Sequence, residues 1–204
     1  MAELTVTTFV SLDGVMQAPG APQEDPSGGF AHGGWVFPLV DARFGATMVD
    51  IFSRADAFLL GRFTYDIFAG HWPRVTDPND PIAHRLNSLP KFVASHTRTR
   101  FEWNNSSHVK DVVNDVAALK ARFPRELQLH GSAGLAQTLI EHDLIDEYRI
   151  LTFPVVLGSG KRLFGAGAVP ASLKLVSSST TSKGTVVSVY RRAGKLVTGS
   201  FALE

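Results

Sequence analysis

Nothing in this chain narrows its architecture more than residues 127–140, LQLHGSAGLAQTLI. A short apolar run, two glycines and a helical apolar period in direct succession spell strand, tight turn and amphipathic helix. Gly131 and Gly134 admit close backbone approach, and Ser132 stands where a helix cap belongs. The first free N–H groups of that helix form an anion site, suited to a phosphate or pyrophosphate. The same residues also satisfy a plain cap and packing turn. Their spacing matches neither the phosphate loop with its lysine nor the six-residue dinucleotide fingerprint.

Two further strand ends repeat the arrangement. Residues 55–60 read as a buried strand that runs into Gly61-Arg62-Phe63-Thr64-Tyr65, a helix start carrying a cation and a hydroxyl. An arginine there opposes the helix dipole unless an anion accompanies it, although a surface arginine beside a routine cap has the same sequence. Lys91-Phe92-Val93-Ala94 is a short strand that delivers Ser95-His96-Thr97-Arg98 to its exit. Gly158-Ser159-Gly160-Lys161-Arg162 either closes a phosphate pocket or forms a basic turn. Hydroxyls, cations and glycines gathered at strand exits point to the carboxyl edge of an open α/β sheet, where such folds bind nucleotides.

The intervening segments supply the frame. Residues 4–10 form a strand ending in the turn Ser11-Leu12-Asp13-Gly14-Val15. Residues 16–34, rich in proline, glycine and acidic side chains, are long enough to be a lid or binding loop. Trp35 and Phe37 close it, either as one wall of a pocket or as anchors to the core. Phe44, Met48, Ile51 and Phe52 fall at helical spacing over 41–54, with Asp41 as cap. Residues 82–89 read as a short helix. Val109, Val112, Val113, Val116, Leu119 and Phe123 mark another helix, and residues 173–178 and 185–191 a terminal hairpin.

With 204 residues, 44% of them hydrophobic, the chain suits one domain over 1–204. A net charge of +1, spread along the chain, gives no footprint for nucleic acid and favours a small-molecule substrate. There is no cysteine, and the seven histidines are dispersed, so neither thiolate chemistry nor a metal site is expected. The first residues form a strand rather than a signal peptide, and no apolar run reaches membrane-spanning length, so a cytoplasmic location and no membrane partner are expected. Leu203 and Glu204 are given no functional weight.

In order and spacing, Ser11-Leu12-Asp13-Gly14, Gly61-Arg62-Phe63-Thr64-Tyr65, Lys91-Phe92-Val93-Ala94-Ser95, His130-Gly131-Ser132 through Leu135, and Pro154-Val155-Val156-Leu157-Gly158-Ser159-Gly160 carry a resemblance over nearly the whole chain. It resembles the dihydrofolate reductase-like superfamily, and more closely the branch containing the reductase domain of bacterial riboflavin biosynthesis. The resemblance implies a three-layer α/β/α sandwich around a mixed, mostly parallel sheet with a C-terminal antiparallel hairpin. It implies NADPH as cofactor, with Gly61, Arg62 and Thr64 at the phosphates and Ser95, Thr97 and Arg98 on the adenosine side with its 2′-phosphate. Gly131, Ser132, Ala133, Gly134 and Leu135 would hold the pyrophosphate and nicotinamide ribose.

The family's usual glycine pair, often joined by a cis bond, is Gly131-Ser132 here. By the same resemblance Asp41, after Trp35 and Pro38, looks like the carboxylate that supports substrate protonation; Asp13 is its rival. Asp13, Gly14, Trp35 and Phe37 would then meet a small heterocyclic or carbonyl-like substrate, with pterins and pyrimidines among the candidates. Relatives of this branch are often dimers, so a homodimer is expected. The activity implied is hydride transfer from NADPH; the alternative is an NADPH-binding module without turnover.

Overall fold

Thirteen main elements follow one another along the chain: β1 (Glu3–Ser11), α1 (Ala42–Ser53), β2 (Ala55–Gly61), α2 (Arg62–His71), α3 (Pro81–Ser88), β3 (Lys91–Ala94), β4 (Ser106–Val109), α4 (Val112–Ala121), β5 (Glu126–His130), α5 (Ala133–Glu141), β6 (Glu147–Phe153), β7 (Ala171–Thr180) and β8 (Val186–Lys195). They come from a computed structural model that describes residues 1–165 and 168–202, so Leu203 and Glu204 lie outside the described residues. All eight strands join one sheet in the order β4-β3-β2-β5-β1-β6-β8-β7. The first six strands of that order run parallel, β8 pairs antiparallel with β6, and β7 pairs antiparallel with β8. This is the mixed, mostly parallel sheet with a C-terminal hairpin that the resemblance implies.

Helices cover both faces. Phe44, Met48, Ile51 and Phe52 of α1, Tyr65 of α2 and Leu86 of α3 pack with Phe58, Leu60 and Phe153 on one side. On the other, Val116 and Leu119 of α4 and Leu135, Ala136 and Leu139 of α5 pack with Leu4, Val6, Leu127 and Leu129. α1 begins as its sequence requires: Asp41 is extended, and its Oδ1 accepts from Phe44 N at 2.7 Å.

Three local expectations change. The apolar series from Val109 to Phe123 is not one helix. Val109 ends β4, Asp111 caps α4 by accepting from Asn114 N at 3.2 Å, and Phe123 lies past the helix end. Val109 falls on the helical period by coincidence; its real partner is Ala94 of β3, and a pairing between strands leaves no local trace. The hairpin strands are longer than their apolar residues suggest, because β7 is mostly solvent-exposed.

Ser132 occupies the cap position of α5, but its side chain does not cap. Gly131 and Ser132 both take left-handed backbone, φ 57° and 56°, through a trans bond. That conformation costs a non-glycine residue about 1–2 kcal/mol and turns the Ser132 hydroxyl away from the helix start.

Candidate functional site

The carboxyl ends of β2, β3, β4 and β5 reach the same edge of the sheet, and the chain leaves each by a corner facing one cavity of about 1660 Å³. At the β2 corner, Gly61 precedes α2, with Arg62 and Thr64 in the first turn. At the β5 corner, Gly131 and Ser132 precede α5. The two corners are stitched together by Ser132: its hydroxyl accepts from Gly61 N at 3.0 Å and donates to Thr64 Oγ1 at 2.8 Å. A Cβ on Gly61 would lie 3.2 Å from the Ser132 Oγ, so glycine keeps this approach open. With Ser132 engaged there, the first N–H groups of α5 stay available to a ligand.

Gly61, Arg62, Thr64, Ser95, Gly131, Ser132, Ala133, Gly134 and Leu135 line this cavity, so the structure brings most of the expected phosphate-facing residues together. Thr97 and Arg98 are not on its wall. Ser95 turns the chain by accepting from Thr97 N (3.3 Å) and Arg98 N (2.9 Å). Arg98 then points away, to Asp66 at 2.5 Å and over the rings of Tyr65 and Phe101. His96 and Lys110 reach the cavity instead. Lys110 was hidden because it follows the strand that the sequence disguised as helix.

The four expected substrate contacts lie elsewhere. Trp35 is buried, donating from Nε1 to Gln17 O at 2.8 Å and packing edge-on to Phe153, so it anchors the loop. Phe37 stands exposed in a short turn. Asp13 accepts from Ser11 Oγ (2.6 Å), Leu157 N (3.1 Å) and Gly158 N (2.9 Å), which lowers its pKa to about 2 and ties the 157–158 turn to the end of β1. Gly14, at φ 83°, belongs to the turn after β1, where its N–H donates to Ser11 O at 2.9 Å.

Asp41 also belongs to the frame. Besides capping α1, its Oδ2 accepts from Ser182 Oγ (2.7 Å) and Lys183 N (3.0 Å), and the Phe44 and Ser182 bonds hold its pKa far below the usual carboxylate range. None of Asp13, Gly14, Trp35, Phe37 or Asp41 lines the cavity. A carboxylate saturated with donors is a poor proton source, which is the physical reason neither aspartate suits that role.

Loop 16–34 supplies the remaining wall. Gln17 pins it, donating to Asp25 O and Ser27 O at 2.9 Å each and accepting from Lys161 N at 3.0 Å. Lys161 Nζ meets Asp25 Oδ2 at 2.5 Å. Glu24, on the same wall, is raised in pKa by burial, against the opposing pull of Gly20 N and Ala21 N. Asp25 behaves oppositely: burial raises it, but Lys161 and Ser27 outweigh that and leave it lowered.

Residues 2–187 match the RibD C-terminal domain family. The chain belongs to that family. The YyaP protein of Bacillus subtilis (strain 168), an uncharacterized protein, is 32% identical over 159 residues, 76% of this chain and 83% of its own length. A solved structure from Shewanella sp. PV-4, a protein assigned to riboflavin biosynthesis, is similar at TM-score 0.65 and 26% identity, over 94% of this chain and 99% of that one. A pyrimidine reductase-like protein of Corynebacterium diphtheriae shares the fold at TM-score 0.61 and 14% identity, covering 94% of this chain and 92% of its own.

In this RibD C-terminal domain the glycine corners are legible in the sequence, while Lys110, Glu24 and His130 are wall residues that it does not mark as such. His130 alone carried a local signal, since it directly precedes the glycine turn. Among the described residues, no helix is long and apolar enough to cross a membrane.

Proposed function

We propose that this RibD C-terminal domain is an NADPH-dependent reductase of a small nitrogen heterocycle. The observation that carries the reading is the stitched pair of corners: Arg62 at the start of α2 and the uncapped start of α5, held side by side by Ser132. Two helix N-termini and a cation converging on one cavity suit a pyrophosphate. A volume of about 1660 Å³ exceeds the ~300–1,000 Å³ usual for one small ligand. It leaves room for a dinucleotide and a substrate together.

The residues present fit that cofactor. Gly61 leaves room for Ser132 to hold the two corners together, and Arg62 and the amides of Ala133, Gly134 and Leu135 offer donors to phosphate oxygens. Lys110 and His96 supply the polar end, where a 2′-phosphate distinguishes NADPH from NADH. When bound, NADPH supplies a hydride. Phe9, Met48 and Phe52 form an apolar wall for a flat ring, and loop 16–34 restricts water. Glu24, held toward its protonated form by burial, is the group we assign to proton delivery. The neighbouring pyrimidine reductase-like structure supports a pyrimidine-type ring as the substrate class to try first.

Thermal shift with NADPH and NADH tests this, on native protein, Arg62→Ala and Lys110→Ala. A cofactor at a hundredfold excess over Kd adds about 2.7 kcal/mol of stability. The expected result is a clear rise with NADPH, reduced by Arg62→Ala, and a preference over NADH lost in Lys110→Ala while Arg98→Ala keeps it. No shift with either cofactor sinks the reading. Turnover is read as loss of reduced-nicotinamide absorbance with aminopyrimidine acceptors. Glu24→Gln is expected to lower it without changing the thermal shift; cofactor binding without turnover for any acceptor leaves the binding-module alternative.

A further inference from the structure

On the α1 face of the sheet, strands that could carry only apolar side chains instead carry a connected polar row. Arg149 of β6 is buried and bonds both Glu126 oxygens, Nη1 to Oε2 at 2.8 Å and Nη2 to Oε1 at 2.7 Å. Its Nε donates to Glu147 Oε1 at 2.9 Å. Glu126 Oε2 also accepts from Gln128 Nε2 at 2.7 Å, and the same Nε2 donates to Ile51 O at 2.7 Å. Gln128 Oε1 lies 3.0 Å from His130 Nε2. His130 ends the row on the cavity wall, stacked on Phe52 at 4.4 Å and 5°.

The orientation of each group follows from the previous one. Arg149 keeps Glu126 ionised; burial works against this, and the guanidinium bonds outweigh it. A carboxylate and a peptide oxygen are both acceptors only, so the Gln128 group facing them is the NH₂, and Oε1 faces His130. His130 Nε2 must therefore donate. Burial, followed by the charge of Arg149, lowers the His130 pKa to about 3, so the ring is neutral with one proton. That proton is on Nε2 and the lone pair is on Nδ1. Among the described residues Nδ1 has no hydrogen-bond partner, yet it is not one of the sealed-off polar atoms, which are Thr5, Thr7, Ser106 and Thr185 oxygens. His130 lines the cavity, so Nδ1 is the ring nitrogen left for a ligand there.

We propose that Arg149, Glu126 and Gln128 are positioning residues that lock His130 in its Nε2–H tautomer, so that Nδ1 is a fixed acceptor for an N–H group of the heterocycle lying on Phe52. A free imidazole exchanges tautomers and accepts or donates as the ligand asks; this one only accepts. With a buried guanidinium behind it, the ring does not become a cation that would draw phosphate to this wall. The site discriminates for an amino or lactam N–H edge and against a carbonyl or anionic group at the same place. The ligand half of this inference rests on the reductase reading, and the tautomer half does not.

Nitrogen–proton correlation spectra of protein labelled at the histidine ring nitrogens test the lock. The expected His130 pattern is a protonated Nε2 and a bare Nδ1, unchanged from about pH 8 to about pH 5, across the range where a free histidine titrates. A protonated Nδ1 overturns the proposal. Gln128→Met removes the acceptor at similar length and is expected to give a tautomer mixture in a folded protein; Gln128→Leu serves if that variant does not fold. A pure Nε2–H form in either folded variant overturns the relay, because a merely structural Gln128 would change stability and not tautomer.

5,6-Diaminouracil is the ligand probe, added to native protein with and without NADPH. The Nδ1 signal is expected to move into its hydrogen-bonded range. Binding is expected to weaken by roughly tenfold in His130→Phe, about the worth of one hydrogen bond. An unmoved Nδ1 overturns the acceptor role. A thermal shift with NADPH beside an unmoved Nδ1 leaves the reductase reading standing; an intact lock without any NADPH shift removes that reading alone.

Discussion

Beneath α4 and α5 the sheet presents Leu4, Val6, Leu127 and Leu129; beneath α1 the same strands present Thr5, Thr7, Gln128 and His130, with Arg149 beside them, equally buried. Strand geometry explains how both exist, since successive side chains point to opposite faces. It does not explain why β1, β5 and β6 carry a polar row on a face that is otherwise apolar. Replacing a buried ion network by apolar residues of similar size is often neutral or stabilising, so stability alone gives no reason for Arg149 between Glu126 and Glu147. The polar row ends on the cavity wall at His130. The difference teaches that both faces hold the sheet through apolar cores, while the polar row set into the α1 face is organised toward the wall where His130 stands.

Variants that treat the two faces differently sharpen this contrast. The largest effect is expected for Arg149→Met, which leaves two buried carboxylates without their guanidinium and costs about 3–5 kcal/mol in urea unfolding. Adding Glu126→Met and Glu147→Leu to it restores much of that loss but not the His130 tautomer; full restoration of both breaks the contrast. Leu129→Ala, on the apolar face, costs about 3 kcal/mol. It leaves NADPH binding unchanged once the protein is folded, and a specific loss of binding would show that the apolar face also serves the site.

A smaller change is expected at the stitch. Ser132→Ala removes the acceptor for Gly61 N–H and costs about 1 kcal/mol, with weaker NADPH binding. Ser132→Gly, which accepts φ 56° without strain, recovers stability and not binding. The smallest effect concerns Asp13. Its folded pKa, about 2, lies below the ordinary value of 3.8, so its contribution is full above about pH 4 and disappears as pH falls toward 2. Asp13→Asn flattens that acid limb in a melting-temperature series and leaves cofactor binding untouched; a loss of binding at neutral pH would return Asp13 to the site.

Features that rest on neighbours in sequence were legible. The glycine corners after β2 and β5, the Asp41 cap and the α1 stripe are all consequences of spacing over a few residues. The misplacements have a common cause. Arg98 stands as near to its strand exit as a phosphate ligand should, but Asp66 and the aromatic faces of Tyr65 and Phe101 turn it away. Trp35 has the composition of a pocket wall, and a single bond to Gln17 O makes it an anchor. Lys110 reaches the cavity only because β4 pairs with β3.

The order and spacing of short motifs carried the resemblance to the family, and the sequence by itself determined the alternation of strands and helices and the glycine corners, because glycine placement, caps and periodicity act over a few residues. Tertiary structure alone decided which side chains face the cavity and in which protonation state. Those depend on register between β1, β5 and β6, where Thr7 sits beside both His130 and Arg149 although 123 and 142 positions away in the chain. Burial and charge are set by such neighbours, and a linear order of residues does not contain them.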